Sequence, residues 1–253
     1  MKKSRNPRSK SKVSVGLIPA AGSGNRLSPK TKNLPKAMIN LAGQPIIEYI
    51  VDQMIREGIK KIYIMTGKKG EIIKNYFGHG KKKNVKIHYL AVKNLKAGLG
   101  ASIGHAAKRI NEPFLTILGD ELIITPSLNN LFRRFYQSRA FAVEMVAREK
   151  NKSVIKQTCG VILGKNHKIK KIIEKPAHPP SDISGCGIYI FDPIIAKYIK
   201  KTKPTDKGIE ITNTIDLIAR QGRAGAEFIR GAHVNINTPA DLKKARRLLT
   251  NKI

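Results

Sequence analysis

The sequence predicts an α/β fold: a mostly parallel sheet covered by helices on both faces, with a smaller antiparallel portion in the second half. Two observations predict it. Across residues 13–119, short β-branched runs alternate with segments of helical periodicity, as parallel strands joined by crossover helices do. From residue 141 onward the runs shorten, and turn signals such as Gly164-Lys165-Asn166 separate them, which suits antiparallel pairing.

The elements follow in order. Residues 1–12, MKKSRNPRSKSK, are basic and lead into no apolar leader segment, so they read as a disordered tail. One domain, 13–253, comes after it. The run VSVGLI at 13–18 reads as a buried first strand that stops at Pro19. Residues 46–55 carry apolar side chains at helical spacing and stop at Gly58. A strand at 59–66, a short helix at 69–77, a strand at 85–92, a helix at 101–110 and a strand at 114–119 continue the alternation. Short strands at 141–147, 160–163, 168–173 and 187–191 occupy the second half, and helices at about 210–221 and 239–249 close it. In such sheets ligands sit beyond the carboxyl ends of the strands, where residues 19–36 and Gly119-Asp120 emerge.

Composition narrows the function classes. No stretch approaches the roughly 18 unbroken apolar residues of a membrane helix. Cys159 and Cys186 are too few for a disulfide framework and belong to no C-x-x-C or zinc-spaced cluster, so a reducing cytoplasm is expected. The net charge of +32 raises nucleic-acid binding as a rival, since lysines and arginines neutralise phosphates without reading sequence. The excess is spread along the chain, in Lys81-Lys82-Lys83, Lys170-Lys171, Lys200-Lys201 and Lys243-Lys244, and no nucleic-acid-binding motif accompanies it. Such binding is therefore expected to be incidental.

The chemistry concentrates after the first strand. Ala20, Ala21, Gly22, Ser23 and Gly24 have little or no side chain, so a ligand can approach the backbone and take hydrogen bonds from successive N–H groups. Arg26, Lys30, Lys32 and Lys36 follow within a dozen residues, and a polyphosphate would use all of this. Two familiar phosphate motifs fail here. The dinucleotide pattern G-x-G-x-x-G meets Leu27 where its third glycine belongs, and the P-loop meets Pro29, which has no N–H, where its second glycine belongs.

What remains resembles the sugar-phosphate nucleotidyltransferases, whose signature A-A-G-x-G-x-R-L-x-P-x-T-x-x-x-P-K runs here from Ala20 through Thr31 to Pro35-Lys36. The resemblance extends from about residue 13 to 249. It implies a Rossmann-like three-layer sandwich, a nucleotide-binding half at about 13–125 and a sugar-binding half at about 126–253. It also implies transfer of a nucleotidyl group from a nucleoside triphosphate to a sugar 1-phosphate with release of pyrophosphate. UTP or dTTP and glucose 1-phosphate are the favoured substrates, Mg2+ the cofactor, and a dimer or tetramer the assembly. The chain ends before the hexapeptide β-helix that some relatives carry, so a fused acetyltransferase is not expected.

Carried over position by position, the resemblance makes Arg26 a holder of the leaving phosphates and Lys36 the bridge between the α-phosphate and the attacking phosphate. Gly22, Ser23 and Gly24, with Ala20 and Ala21, would cradle the nucleotide. Leu115-Thr116-Ile117-Leu118-Gly119-Asp120 ends in a carboxylate that the family uses as a magnesium ligand, although alone it also reads as a turn aspartate. Glu121 beside it reads as structural. The segment from Asn235 to Leu242 offers Asn235 as the second ligand, while Thr238-Pro239 reads equally as a helix N-cap.

On the acceptor side, Glu174-Lys175-Pro176 resembles the family's E-K-P, with Glu174 on sugar hydroxyls and Lys175 on the sugar phosphate. The glycines of Cys159-Gly160 and Cys186-Gly187 would make room for the hexose, and the two cysteines read as small core residues. Glu210 either meets the sugar or simply begins a helix. Gly98 and Leu99 correspond to the segment that touches the base. The family's upstream glutamine is missing, and Lys93 or Asn94 stands in its place, so cytosine stays open. The rivals are a cytidylyltransferase acting on another phosphomonoester and a noncatalytic binder of nucleotide sugars or nucleic acid.

Overall fold

The computed structural model describes residues 12–22, 24–29 and 31–250. The basic tail, apart from Lys12, lies outside the described residues, as do Ser23 and Lys30. The first strand, β1 (Val15–Ala20), leads into a loop with two 3-10 turns and a small hairpin, β2 (Asn40–Leu41) and β3 (Gln44–Pro45). Then come α1 (Ile46–Arg56), β4 (Lys61–Thr66), α2 (Gly70–Phe77), β5 (Lys86–Ala91), α3 (Gly98–Ile110) and β6 (Phe114–Ile117). The second half holds β7 (Glu121–Ile124), α4 (Asn129–Ser138), β8 (Ala142–Arg148), α5 (Lys152–Ile155), β9 (Cys159–Leu163), β10 (Ile169–Glu174) and β11 (Ile183–Phe191). It ends with α6 (Ile195–Lys201), α7 (Ile211–Ala219), β12 (Ala224–Phe228), β13 (Ala232–Asn235) and α8 (Pro239–Thr250).

Nine strands form one mixed sheet. Its core, in the order β6-β1-β4-β5, is parallel. Strand β11 then pairs antiparallel with β6 on one edge and with β8 on the other, and β9 and β10 continue as an antiparallel hairpin. The expected antiparallel portion is therefore an extension of the central sheet. One pair departs from that expectation, since β12 runs parallel to β8.

Alternation along the strands sorts side chains into two cores, as the period of two requires. Val15 and Leu17 of β1, Phe114 of β6 and Phe191 of β11 pack with α3, α6 and α7 on one face. Ile18, Leu115 and Ile190 pack with α1 and α4 on the other. A third, smaller cluster joins Leu27, Ile46, β7, β13 and α8, where β7 and β13 form their own antiparallel pair.

The predicted elements differ from the observed ones where glycine or proline distorts the local signal. The first strand runs through Pro19 to Ala20, because the β1–β6 ladder has ended by Leu17. Pro19 still accepts a hydrogen bond from Gly119 N at 2.9 Å on that side. Its missing N–H faces a gap where no ladder bond is owed. Helix α3 starts at Gly98 rather than residue 101, and β11 starts at Ile183 rather than 187, buried along its whole length. No helix among the described residues is long and apolar enough to cross a membrane.

Candidate active site

The loop after β1 is held by its small residues and one apolar anchor. Gly24 has φ +67°, and a Cβ there would come within 2.8 Å of Lys36 Cβ, so this glycine lets the lysine stem pass alongside the loop. Its carbonyl accepts from Leu27 N at 2.8 Å and from Thr31 Oγ1 at 2.9 Å. Leu27, 2% exposed, drops into the third core cluster. The leucine that breaks the dinucleotide motif is thus what fastens Arg26 next to the β7–β13 pair.

Three segments distant in sequence converge beyond the sheet. Lys36 Nζ lies 2.6 Å from Asp120 Oδ2 and donates to Asn237 Oδ1 at 2.7 Å. Arg26 donates to the same Asn237 oxygen at 2.7 Å. Asp120 is placed by the turn after β6, where Gly119 packs so tightly on β1 that a Cβ would come within 2.8 Å of Pro19 O. That packing requires glycine.

A carboxamide relay backs this centre. With its oxygen facing two cations, Asn237 turns its amide toward Asn235 Oδ1, and Asn235 in turn donates to Glu121 Oε1. The β7–β13 ladder sets Asn235 opposite Glu121. Glu121 is 1% exposed, and burial pushes its carboxyl above the usual range, with His233, 3.6 Å from its other oxygen, opposing the shift. Thr238 caps α8, accepting from Asp241 N at 3.3 Å, while Asp241 Oδ2 accepts from Thr238 N at 2.8 Å and Asn237 N at 3.0 Å. The capping reading and the site reading of this segment hold together.

Sequence reasoning missed Asn237. In an extended segment, residues two apart share a face, so the spacing from Asn235 to Asn237 carried the signal.

Two cavities meet at Asp120. The first, about 240 Å³, lies between Ala20, Ala21 and Gly22 on one side and Gly98, Leu99 and Ser102 of α3 on the other. The second, about 220 Å³, contains Arg26, Glu174, Lys175, Gly187, Glu210 and Thr212. Leu99, Leu118 and Asp120 belong to both. Lys93 is exposed and lines an adjoining hollow with Asn94 and His105 instead of the first cavity. Gly160 faces elsewhere too, because a Cβ there would meet Pro180 at 2.5 Å; Gly185, which the sequence did not single out, lines the second cavity instead.

Charges in the second cavity are mutually arranged. Glu174 accepts from Thr212 Oγ1 at 2.8 Å and from Lys175 Nζ at 2.9 Å. Burial opposes the Lys175 charge, but the hydrogen bond and field of Glu174, with Glu210, outweigh it and raise the lysine's pKa. Glu210, the N-cap residue of α7, is pushed up by burial and by Glu174. The two cavities are also stitched by backbone, since Ile209 N donates to Ala97 O at 2.8 Å and Gly100 N to Ile209 O at 2.7 Å. Gly98 permits this, because a Cβ on it would meet Ile209 N at 2.5 Å.

The metal donors at the junction are the Asp120 carboxylate and the Asn235 carboxamide oxygen, since Lys36 and Arg26 take the Asn237 oxygen. Among the described residues no group of three His, Cys, Asp or Glu side chains forms a metal cluster. A sparse, all-oxygen set fits Mg2+, which keeps waters and substrate phosphates in its shell, and does not fit zinc.

Residues 15–251 match the family described as nucleotidyl transferase. The chain belongs to this family. It is 32% identical over 236 residues to the UTP–glucose-1-phosphate uridylyltransferase AglF of Haloferax volcanii, covering 92% of this chain and 95% of that one. It is 29% identical to the UTP–glucose-1-phosphate uridylyltransferase of Bacillus subtilis, covering 89% and 87%. Among solved structures, a UDP-glucose pyrophosphorylase complexed with UDP-glucose superimposes with a TM-score of 0.86 at 26% identity, over 96% of this chain and all of that one. The fold of these nucleotidyltransferases and the mixed sheet described above agree.

Proposed function

We propose that this nucleotidyltransferase condenses UTP or dTTP with glucose 1-phosphate to give a nucleotide sugar and pyrophosphate. The observation that carries the reading is the Lys36–Asp120 pair at the point where an apolar cavity and a charged cavity meet. The apolar cavity takes the base, with the backbone of Ala21 and Gly22 against the nucleotide. The charged cavity takes the sugar, with Glu174 and Glu210 accepting from hydroxyls and Lys175 neutralising the phosphate. The similarity to two uridylyltransferases acting on glucose 1-phosphate supports these substrates.

In-line attack by the sugar phosphate on the α-phosphorus gathers negative charge there, so the work of the site is positioning and preset positive charge. Arg26 meets the leaving phosphates and Lys36 spans the α-phosphate and its attacker. Bound Mg2+ would be held by Asp120 and Asn235 and would supply Lewis-acid stabilisation of the phosphoryl oxygens. Leu99 and Leu118, which line both cavities, exclude water from the line of attack. Cys159 and Cys186 are buried and free, which supports action in a reducing cytoplasm.

Pyrophosphate release measured over UTP, dTTP, CTP and ATP against several sugar 1-phosphates and a phosphoalcohol tests the proposal. Turnover is expected with UTP or dTTP and glucose 1-phosphate. Turnover with CTP alone and a phosphoalcohol, or none with any pair, would overturn it.

A further inference from the structure

The Lys36 ammonium bonds to Asp120 Oδ2 at 2.6 Å and to Asn237 Oδ1 at 2.7 Å. Magnesium ligates carboxylates at about 2.1 Å. A dication on Asp120 and an ammonium on the same carboxylate would therefore place like charges within a few ångströms of each other, and only one of them stays comfortably there. The lysine is 8% exposed, its stem running beside Gly24, and its partners among the described residues are these two oxygens. Its ammonium leaves Asp120 only for another anion, and a triphosphate beside the Gly22 backbone is an anion of sufficient charge.

We propose that Lys36 stands in the metal position before nucleotide binds and that Asn237 is the positioning residue that holds it there, so that a divalent cation enters together with the triphosphate. The neutral Asn237 oxygen suits this task. It anchors the two cations, Lys36 and Arg26, without the charge that would retain them against phosphate. Asn235, whose amide is turned to Glu121, has an oxygen that accepts from the Asn237 amide and keeps its second lone pair for the incoming metal. The inference rests on the nucleotidyltransferase reading of the site and is independent of base and sugar.

Mn2+ binding to the nucleotide-free protein, followed by the loss of the free-ion paramagnetic resonance signal, tests it. Lys36→Met is expected to bind Mn2+ at least about tenfold more tightly than wild type, because a neighbouring positive charge is gone. Asn237→Ala, which loosens the lysine, is expected to move in the same direction by a smaller factor. Unchanged affinity in Lys36→Met, or weaker affinity in Asn237→Ala, would overturn the proposal. Should Lys36→Met not fold, wild type alone decides, since micromolar Mn2+ binding without nucleotide contradicts it. A protein that shows these shifts yet turns over no substrate pair would refute the proposed function and leave this inference standing.

Discussion

Lys36 and Asp120 stand 84 positions apart in sequence and meet at 2.6 Å, one on the loop after β1 and the other on the turn after β6. Their meeting follows from topology. Strands β1 and β6 are parallel neighbours, so their carboxyl ends open on the same side of the sheet.

That contact fixes the first expected outcome. Lys36→Ala should lower kcat by at least about a hundredfold, the usual loss when one preset charge is removed from a phosphoryl-transfer site. The side chain meets a loop and two polar partners and belongs to none of the apolar clusters, so thermal unfolding should show a folded protein. Steady-state pyrophosphate release checks it, and near-normal turnover would mean that another cation does this work.

Gly24 tests the placement of that lysine indirectly. Alanine there must adopt φ +67° and put its methyl 2.8 Å from Lys36 Cβ and 2.9 Å from Thr31 Cγ2. The left-handed conformation costs about 1 kcal/mol, which a domain of this size tolerates. The displaced lysine is the larger effect, and kcat should fall by about a hundredfold. Equal turnover in Gly24→Ala and wild type would show that the loop yields without moving Lys36.

The sequence made the sheet and the loop legible because both are local patterns: β-branched runs read as strands, and small residues followed by cations read as a phosphate cradle. Helix α4 went unread although Leu131, Phe132, Phe135 and Tyr136 fall at helical spacing, and β11 was read only in part. Its apolar residues and two glycines are buried on both faces, which erases the alternation that marks a half-exposed strand. At the site, Arg26, Lys36, Asp120 and Asn235 were readable and do converge. Asn237 went unread although its two-residue spacing from Asn235 carried the signal, and Gly185 went unread because the cavity it lines is assembled from segments distant in sequence. Gly160 was read as room for a sugar, whereas the structure gives that room to Pro180.

The second cavity predicts a separation of kinetic constants. Lys175 is paired with Glu174 at 2.9 Å and lies on the far side of Asp120 from the apolar cavity. Lys175→Met should raise KM for the sugar phosphate roughly 10- to 100-fold, the worth of one charge-assisted hydrogen bond. KM for the triphosphate should stay within about twofold, since that ligand is held elsewhere. Parallel increases in both constants would place Lys175 on the nucleotide.

Beneath this cavity Glu144 gives a prediction about stability. It sits on β8, 1% exposed, opposite Tyr189 on β11, and accepts from Cys159 Sγ at 3.8 Å. Burial, with the nearby charge of Glu174, pushes its pKa up to about 8. A carboxyl raised in the folded state favours folding in its protonated form. The stability it allows is complete below its unfolded pKa of 4.5 and is lost as pH rises through about 8. Glu144→Gln keeps the shape and cannot ionise, so the variant should overtake wild type as pH rises. The gain is small at pH 5 and reaches up to roughly 5 kcal/mol at pH 9. At about 2–4 °C per kcal/mol in a domain of this size, that is a Tm difference of about 10–20 °C. Thermal unfolding at the two pH values measures it directly. A difference that is the same at pH 5 and pH 9 would show that Glu144 does not change its charge over this range.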